Sequence, residues 1–202
     1  MDLWFFEKEA TAEGYQEIAG IDEAGRGPLA GPVVSAAVIL PKKFAVADVI
    51  DSKKLTIKKR SRLYDEIYTQ AVSVGVGIVD SIEIDRINIL QASLLAMSMA
   101  AANLKPQPEC LLIDGTFAIS SKLPQKPIAK GDALSVSIAA ASIVAKVTRD
   151  RLMEEYHKYY PQFGFSQHKG YPTRAHKAAI RKFGYCPIHR KTFRGVKEHI
   201  LC

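Results

Sequence analysis

The chain has 202 residues, 48% hydrophobic and 24% charged, with a net charge of +7. This is the composition of an ordinary globular protein, and no window reaches the roughly 18 uninterrupted apolar residues of a membrane span. The basic excess suits a polyanionic partner, nucleic acid above all. The three cysteines form no C-x-x-C pair and the five histidines no H-E-x-x-H, so the composition disfavours a disulfide framework and a zinc enzyme. The first residues lack a basic stretch followed by a long apolar run, so no signal peptide is read and the expected location is cytoplasmic.

In chain order, residues 17–22 and 32–40 read as strands, the second apolar enough to be buried on both faces. Thr56 is a plausible cap for a helix to about residue 71, with Leu63 and Ile67 at i, i+4. Residues 72–79 alternate as a third strand, with Gly75 and Gly77 allowing close packing. A Leu-, Ala- and Met-rich helix is predicted from about 85 to 103, a fourth strand over 109–114 and a short fifth over 126–130. A long helix over 135–159, apolar first and charged later, precedes a shorter one over 173–183 closed by Gly184. Cys110 falls in an apolar run and reads as core. No repeat or linker divides the chain. The order predicts an α/β fold with a mixed sheet, the third and fourth strands parallel through a helical crossover.

Two strand-like runs end in carboxylates: Ala19-Gly20-Ile21 leads into Asp22-Glu23, and Cys110-Leu111-Leu112-Ile113 into Asp114. Ligand sites of open α/β sheets gather at strand carboxyl ends, and adjacent strands would bring these acids together, with Asp132 just beyond the fifth strand. Clustered carboxylates need a cation between them, and hard oxygen ligands select Mg²⁺ or Mn²⁺. Two such ions suit in-line phosphodiester cleavage. Each acid taken alone also suits a turn or a helix cap.

The loop Gly25-Arg26-Gly27-Pro28-Leu29-Ala30-Gly31 imitates the spacing of a dinucleotide-binding turn. That reading requires a helix to follow at once, whereas Pro32 and a β-branched run follow here. A loop whose backbone closely approaches a nucleic-acid strand accounts better for the glycines, with Arg26 as a cation and the 2′-hydroxyl as the group to be read. A purely structural turn is the alternative.

Together these segments resemble ribonuclease HII, the prokaryotic type 2 ribonuclease H. The resemblance runs in family order through residues 19–33, Asp51-Ser52-Lys53-Lys54-Leu55, Ile113-Asp114-Gly115, Lys130-Gly131-Asp132-Ala133, residues 139–151, His168-Lys169-Gly170-Tyr171-Pro172-Thr173 and Pro187-Ile188-His189-Arg190. It implies a ribonuclease H-like mixed five-stranded sheet flanked by helices, in a single domain spanning 1–202 whose helical C-terminal segment, from about 165, binds substrate. It implies a metal site of Asp22, Glu23, Asp114 and Asp132 holding two Mg²⁺ or Mn²⁺ ions. It assigns Gly25, Arg26 and Gly27 to sensing the 2′-hydroxyl, and Tyr171 to stacking on the deoxyribose beyond it. The implied reaction hydrolyses RNA in RNA/DNA hybrids and cuts 5′ of ribonucleotides embedded in duplex DNA, leaving a 3′-hydroxyl and a 5′-phosphate. Type 3 relatives differ at Arg26 and carry an extra N-terminal domain, and only about 16 residues precede the first strand here.

Ser52, Lys53 and Lys54 suit a phosphate contact through hydroxyl and charge. Ser142 and Lys146, at i, i+4, share one helix face, with Lys146 expected to reach phosphate or a site carboxylate. Arg149, Asp150, Arg151, Glu154 and Glu155 read as surface pairs. Lys169, Arg174, His176, Lys177, Arg181 and Lys182 make the last third basic enough to track a DNA strand. Tyr156, Tyr159 and Tyr160 read as packing residues. His189 and Arg190 fit the family pattern, but the sequence offers no physical role for them. The expected protein is a monomer acting on hybrids and ribonucleotide-containing DNA away from membranes, with replication or repair proteins as natural partners. A non-catalytic hybrid-binding module and a DNA-specific or junction nuclease on the same fold are the competing readings.

Overall fold

A computed structural model describes residues 2–44 and 56–200. Among these residues five strands form one sheet in the order β3-β2-β1-β4-β5. They are β1 (Ile18–Ala24), β2 (Val33–Ile39), β3 (Ser73–Val79), β4 (Cys110–Asp114) and β5 (Gln125–Ile128). β2 runs antiparallel to both β1 and β3, and β4 and β5 run parallel to β1. The mixed sheet is therefore as expected. β3 and β4 share a direction, but their crossover spans β2 and β1, so they are not neighbours.

Among the described residues seven helices surround the sheet: α1 (Phe5–Ala12), α2 (Ile57–Gln70), α3 (Ser81–Ile87), α4 (Ile89–Ala102), α5 (Val136–Tyr159), α6 (Phe165–His168) and α7 (Arg174–Phe183). Alternation along the strands splits their side chains between two layers. Ala36 and Val38 of β2 pack with Leu63 and Ile67 of α2 and with Ala140, Ile143 and Val144 of α5. Ala37 and Ile39 face the other way, joining Ile21, Leu111 and Ile113 against Met97, Ala100 and Leu104. Gly75 and Gly77 let α4 press onto β3: a Cβ at either would come within 2.2 Å or less of the Ala100 or Ala96 carbonyl oxygen.

Thr56, Ser135 and Thr173 cap α2, α5 and α7, each accepting a backbone N–H from the residue three positions on. The single helix expected over 85–103 is instead α3 and α4. Asn88 breaks it by adopting φ +71°, and its Oδ1 then accepts from the N–H groups of Leu90 and Gln91 at 3.0 and 3.1 Å. The fifth strand ends at Ile128, short of the expected residue 130, and Lys130 lies in the left-handed region. Helix α1 was not anticipated. Its buried Glu7 accepts from Ser135 Oγ and Ser137 Oγ at 2.6 Å and from the Ser137 N–H at 3.1 Å, tying it to the start of α5. Among the described residues no helix is long and apolar enough to cross a membrane.

Candidate active site

Parallel pairing sets Ile21 opposite Ile113, so the next residues, Asp22 on β1 and Asp114 on β4, emerge side by side. One oxygen each from Asp22, Glu23 and Asp114 lie within 4.8 Å of one another. Asp22 is buried and accepts the Glu23 N–H at 2.6 Å, and the Ser142 hydroxyl bonds to it as well. Asp114 Oδ1 accepts the Gly131 N–H at 2.7 Å. The next residue, Asp132, is buried on the short 3-10 turn Gly131–Ala133 and stands outside the tight group of three.

Burial pushes the Asp22 carboxyl well above the ordinary range, and the charges of Glu23 and then Asp114 push the same way, with Ser142 opposing. Glu23 is also raised, by burial first, with the Arg26 charge opposing and Asp114 adding. Packed carboxylates that resist ionisation are relieved by a divalent cation, and an all-oxygen set fits Mg²⁺ or Mn²⁺. The residues thus fit the expected metal chemistry. Arg26 Nη1 reaches Glu23 Oε1 at 3.3 Å while its side chain stays 51% exposed, so its guanidinium also faces solvent beside the acids. Glu23, Arg26 and Asp114 line a cavity of about 170 Å³ shared with Thr116, Phe117 and Lys130.

The glycine loop is held by two fully buried arginines. Arg190 donates from Nε to the Gly31 carbonyl at 3.0 Å, from Nη1 to that of Arg26 at 3.0 Å and from Nη2 to that of Gly25 at 2.6 Å. Arg149 donates to the carbonyls of Pro32 (2.9 Å), Lys169 (3.0 Å) and Ala30 (3.1 Å). Burial lowers both pKa values, that of Arg190 to about 9, with the charge of Arg149 adding to the effect. Gly25, at φ +104°, lies so close that a Cβ there would meet Arg149 Nε at 2.2 Å. The main chain adds Leu29 N–H to Gly170 O, Gly31 N–H to Ile188 O and Arg190 N–H to Leu29 O, each 2.8 Å. Asp85 of α3 fixes the far side, accepting the Lys191 and Thr192 N–H groups at 2.7 and 2.9 Å. Arg149 is therefore no surface residue, contrary to the sequence reading. The role of Arg190 was missed, and its place in the family pattern is the single signal that pointed to it.

Tyr171 is 39% exposed, and a Cβ on Gly27 would lie 3.9 Å from its ring. Lys146 Nζ and the Arg149 guanidinium lie 5.6 and 5.8 Å from the ring centroid. The carboxylate that Lys146 meets is Asp150, at 2.7 Å, not a site acid. Ser142 faces Asp22 from α5. Lys169 pairs with Glu154 at 2.8 Å and His176 is buried, so the basic face of α7 reduces to Arg174, Lys177, Arg181 and Lys182. Tyr156 and Tyr160 pack as expected, while Tyr159 is exposed. Ser52, Lys53 and Lys54 lie outside the described residues.

Comparison with known proteins agrees with this geometry. The family model described as ribonuclease HII matches residues 19–196. The ribonuclease HII of Geobacter metallireducens is 58% identical over 198 residues, covering 98% of this chain and 93% of its own. The crystal structure of ribonuclease H2 from Pyrococcus horikoshii superposes with a TM-score of 0.76 at 28% identity, covering 91% of this chain and 96% of that one. Ribonuclease HII of Archaeoglobus fulgidus, solved in complex with PCNA, gives a TM-score of 0.74 at 26% identity, with coverages of 89% and 96%. The chain belongs to the ribonuclease HII family and is a ribonuclease H, a hydrolase acting on RNA paired with DNA.

Proposed function

We propose that the enzyme cuts RNA/DNA hybrids internally and also cuts 5′ of single ribonucleotides embedded in duplex DNA, leaving 3′-hydroxyl and 5′-phosphate ends. The observation that carries this reading is the joining of acid group to glycine loop: Glu23 is at once a member of the carboxylate group and the ion-pair partner of Arg26. Asp22, Glu23, Asp114 and Asp132 would hold a pair of Mg²⁺ or Mn²⁺ ions. When bound, these supply an acidified water and neutralise charge at the phosphate. The chain's own residues do the selecting. The backbone of Gly25, Arg26 and Gly27, fixed through its carbonyls by Arg190, offers rigid groups to a 2′-hydroxyl. The face of Tyr171 accepts a bare deoxyribose where a 2′-hydroxyl would crowd it. Ser142 orients Asp22, and Lys146, the basic face of α7 and Ser52, Lys53 and Lys54 attract the phosphate backbone.

We assign residues 1–202 to one domain acting as a cytoplasmic monomer, with the C-terminal segment from about 165 engaging substrate. A replication partner of the PCNA kind is proposed from the Archaeoglobus fulgidus complex. The deciding experiment is cleavage of labelled duplex DNA carrying one ribonucleotide, beside an all-DNA control, with Mg²⁺, with Mn²⁺ and with chelator. One metal-dependent cut 5′ of the ribonucleotide, absent from the control, is expected. No cut with either metal, by protein that cleaves a continuous hybrid, would overturn the embedded-ribonucleotide reading.

A further inference from the structure

Behind Tyr171 lies a group of polar side chains that the reaction does not use: the buried His176, His189 and Cys186 and the half-buried His168, walled by Phe163 and Phe165. Its hydrogen bonds can be given a direction because both ends are fixed by backbone groups. At one end the Cys186 N–H donates to His189 Nδ1 at 3.0 Å. That nitrogen is therefore unprotonated, and a neutral His189 carries its proton on Nε2. Nε2 lies 3.1 Å from His176 Nε2, so His189 donates and His176 accepts. The proton of His176 then sits on Nδ1, which lies 3.0 Å from the Tyr171 carbonyl oxygen, an obligatory acceptor. Opposite tautomers on the two rings satisfy every group, and a further proton on either would set two donors face to face. Burial agrees, holding both histidines down at a pKa of about 4 and the Cys186 thiol up at about 11. Metal ligation is a poor account, since 3.1 Å between ring nitrogens is a hydrogen bond and leaves no space for an ion.

Both sides of the Tyr171 backbone are tied into this group. Its N–H donates to the His168 carbonyl at 2.9 Å, and its carbonyl accepts from Thr173 N–H at 2.8 Å as well as from His176. The His168 ring is locked in turn, accepting the Gly170 N–H on Nδ1 at 3.2 Å and donating from Nε2 to the Phe163 carbonyl at 2.7 Å. It stacks on His176 with centroids 4.4 Å apart. The exposed tyrosine that lies beside Gly27 thus stands on a backbone hydrogen-bonded on both sides to this group.

We propose that His176 and His189 are positioning residues of the substrate site: their ordered hydrogen-bond chain, from the Cys186 amide to the Tyr171 carbonyl, sets the Tyr171 ring against Gly27 and thereby sets how strongly the enzyme prefers a ribonucleotide followed by deoxyribose. The proposal rests on the reading of Tyr171 given above. A misplaced ring changes selection more than chemistry, because the acids lie on other elements and the cost of misorientation falls on the contact the ring makes.

The test compares kcat/KM on duplex DNA carrying one ribonucleotide with kcat/KM on a continuous RNA/DNA hybrid. His176→Phe, which removes the donor to Tyr171, should lower that ratio about tenfold while leaving hybrid cleavage within about threefold. His176→Asn, whose amide nitrogen falls where Nδ1 stood, should restore the ratio even though it orphans His189 Nε2–H and lowers the melting temperature. A structural role alone would make Asn and Phe fail alike on both substrates, and that result overturns the proposal. Tyr171→Ala runs in parallel. If it shifts the ratio and His176→Phe does not, the mount falls and the tyrosine reading stands. If Tyr171→Ala leaves the ratio unchanged, the tyrosine reading falls and takes the mount with it. Should His176→Phe fail to fold, ¹⁵N spectra of the wild-type histidines decide: Nε2–H on His189 with Nδ1–H on His176 is expected, and any other pair overturns the assignment.

Discussion

Two regions of the molecule meet at Glu23 and Arg26, and they are built on opposite principles. The acid group crowds like charges onto neighbouring strand ends, where burial keeps Asp22 and Glu23 from ionising readily. The loop beside it crowds cations inward, yet both buried arginines are satisfied by neutral backbone carbonyls, three each. The first region is unfinished without an ion, so its energy is held ready for a ligand. The second is complete in itself, so its energy goes into rigidity. The part that must accept a cation is left open, and the part beside it is held rigid.

Breaking the acid side should have the largest effect. Asp114→Asn is expected to lower cleavage about 10³-fold, the equivalent of ~4 kcal/mol of lost charge stabilisation, while hybrid binding holds or tightens. Wild-type rates from that variant would show the centre to be elsewhere. On the clamp side, Arg190→Met leaves the carbonyls of Gly25, Arg26 and Gly31, the first and last buried, without their side-chain donor. It should cost about 3 kcal/mol of unfolding free energy in denaturant titration and relax the demand for a 2′-hydroxyl, with Mg²⁺ binding by calorimetry unchanged. Loss of Mg²⁺ binding in that variant would mean that the two regions are not separable. Gly25→Ala should cost about 2 kcal/mol through its positive φ and the collision with an arginine pinned by three bonds.

Acidity sets the acid group against the histidine group packed behind the loop, because the two respond with opposite sign. Asp22 and Glu23 titrate above their ordinary values when folded, so over that interval the metal-free native state holds more protons than the unfolded chain and loses stability as pH rises. His176 and His189, down at about 4 from 6.5, bind protons more readily when unfolded, so stability falls as pH drops from 6.5 towards 4. His168 is lowered as well and Cys186 raised, so neither neighbour offsets the loss. Melting curves across this range should show Mg²⁺ giving a larger gain at higher pH and no rescue of the acid limb; a gain independent of pH would contradict the account of Asp22. The smallest effect is expected from Lys146→Met. It should raise KM about threefold at low salt with kcat unchanged, since Lys146 is half committed to Asp150. A changed kcat would move Lys146 into the chemistry.

What the sequence revealed follows the same divide. Asp22 and Asp114 were legible because an apolar strand ending in a carboxylate is a local pattern, and register alone brings two such ends together. The glycine loop was separable from a dinucleotide turn because Pro32 and the strand after it are local too. Arg149 and Arg190 were not legible. Their partners are backbone carbonyls, which leave no mark on composition, and an arginine on a charged stretch of helix reads as surface until the loop that covers it is known. His176 was taken for part of a basic helix face for the same reason, since its burial depends on His189 and Phe165 from other segments. Asn88 hid the break between α3 and α4 because one left-handed residue inside a Leu- and Ala-rich run barely alters the period.

The Arg190 clamp also has a consequence for how the enzyme is made. Gly25 and the arginine that closes over it are 165 positions apart. At ordinary synthesis rates of roughly 5–20 residues per second, roughly 8–33 s separate the two on the ribosome. A nascent chain that has already delivered all four acids still lacks the residue that gives the glycine loop its shape. The polypeptide acquires its carboxylates first and the clamp on its glycine loop last, so a chain stopped early carries the acids without the arginine that holds the loop beside them.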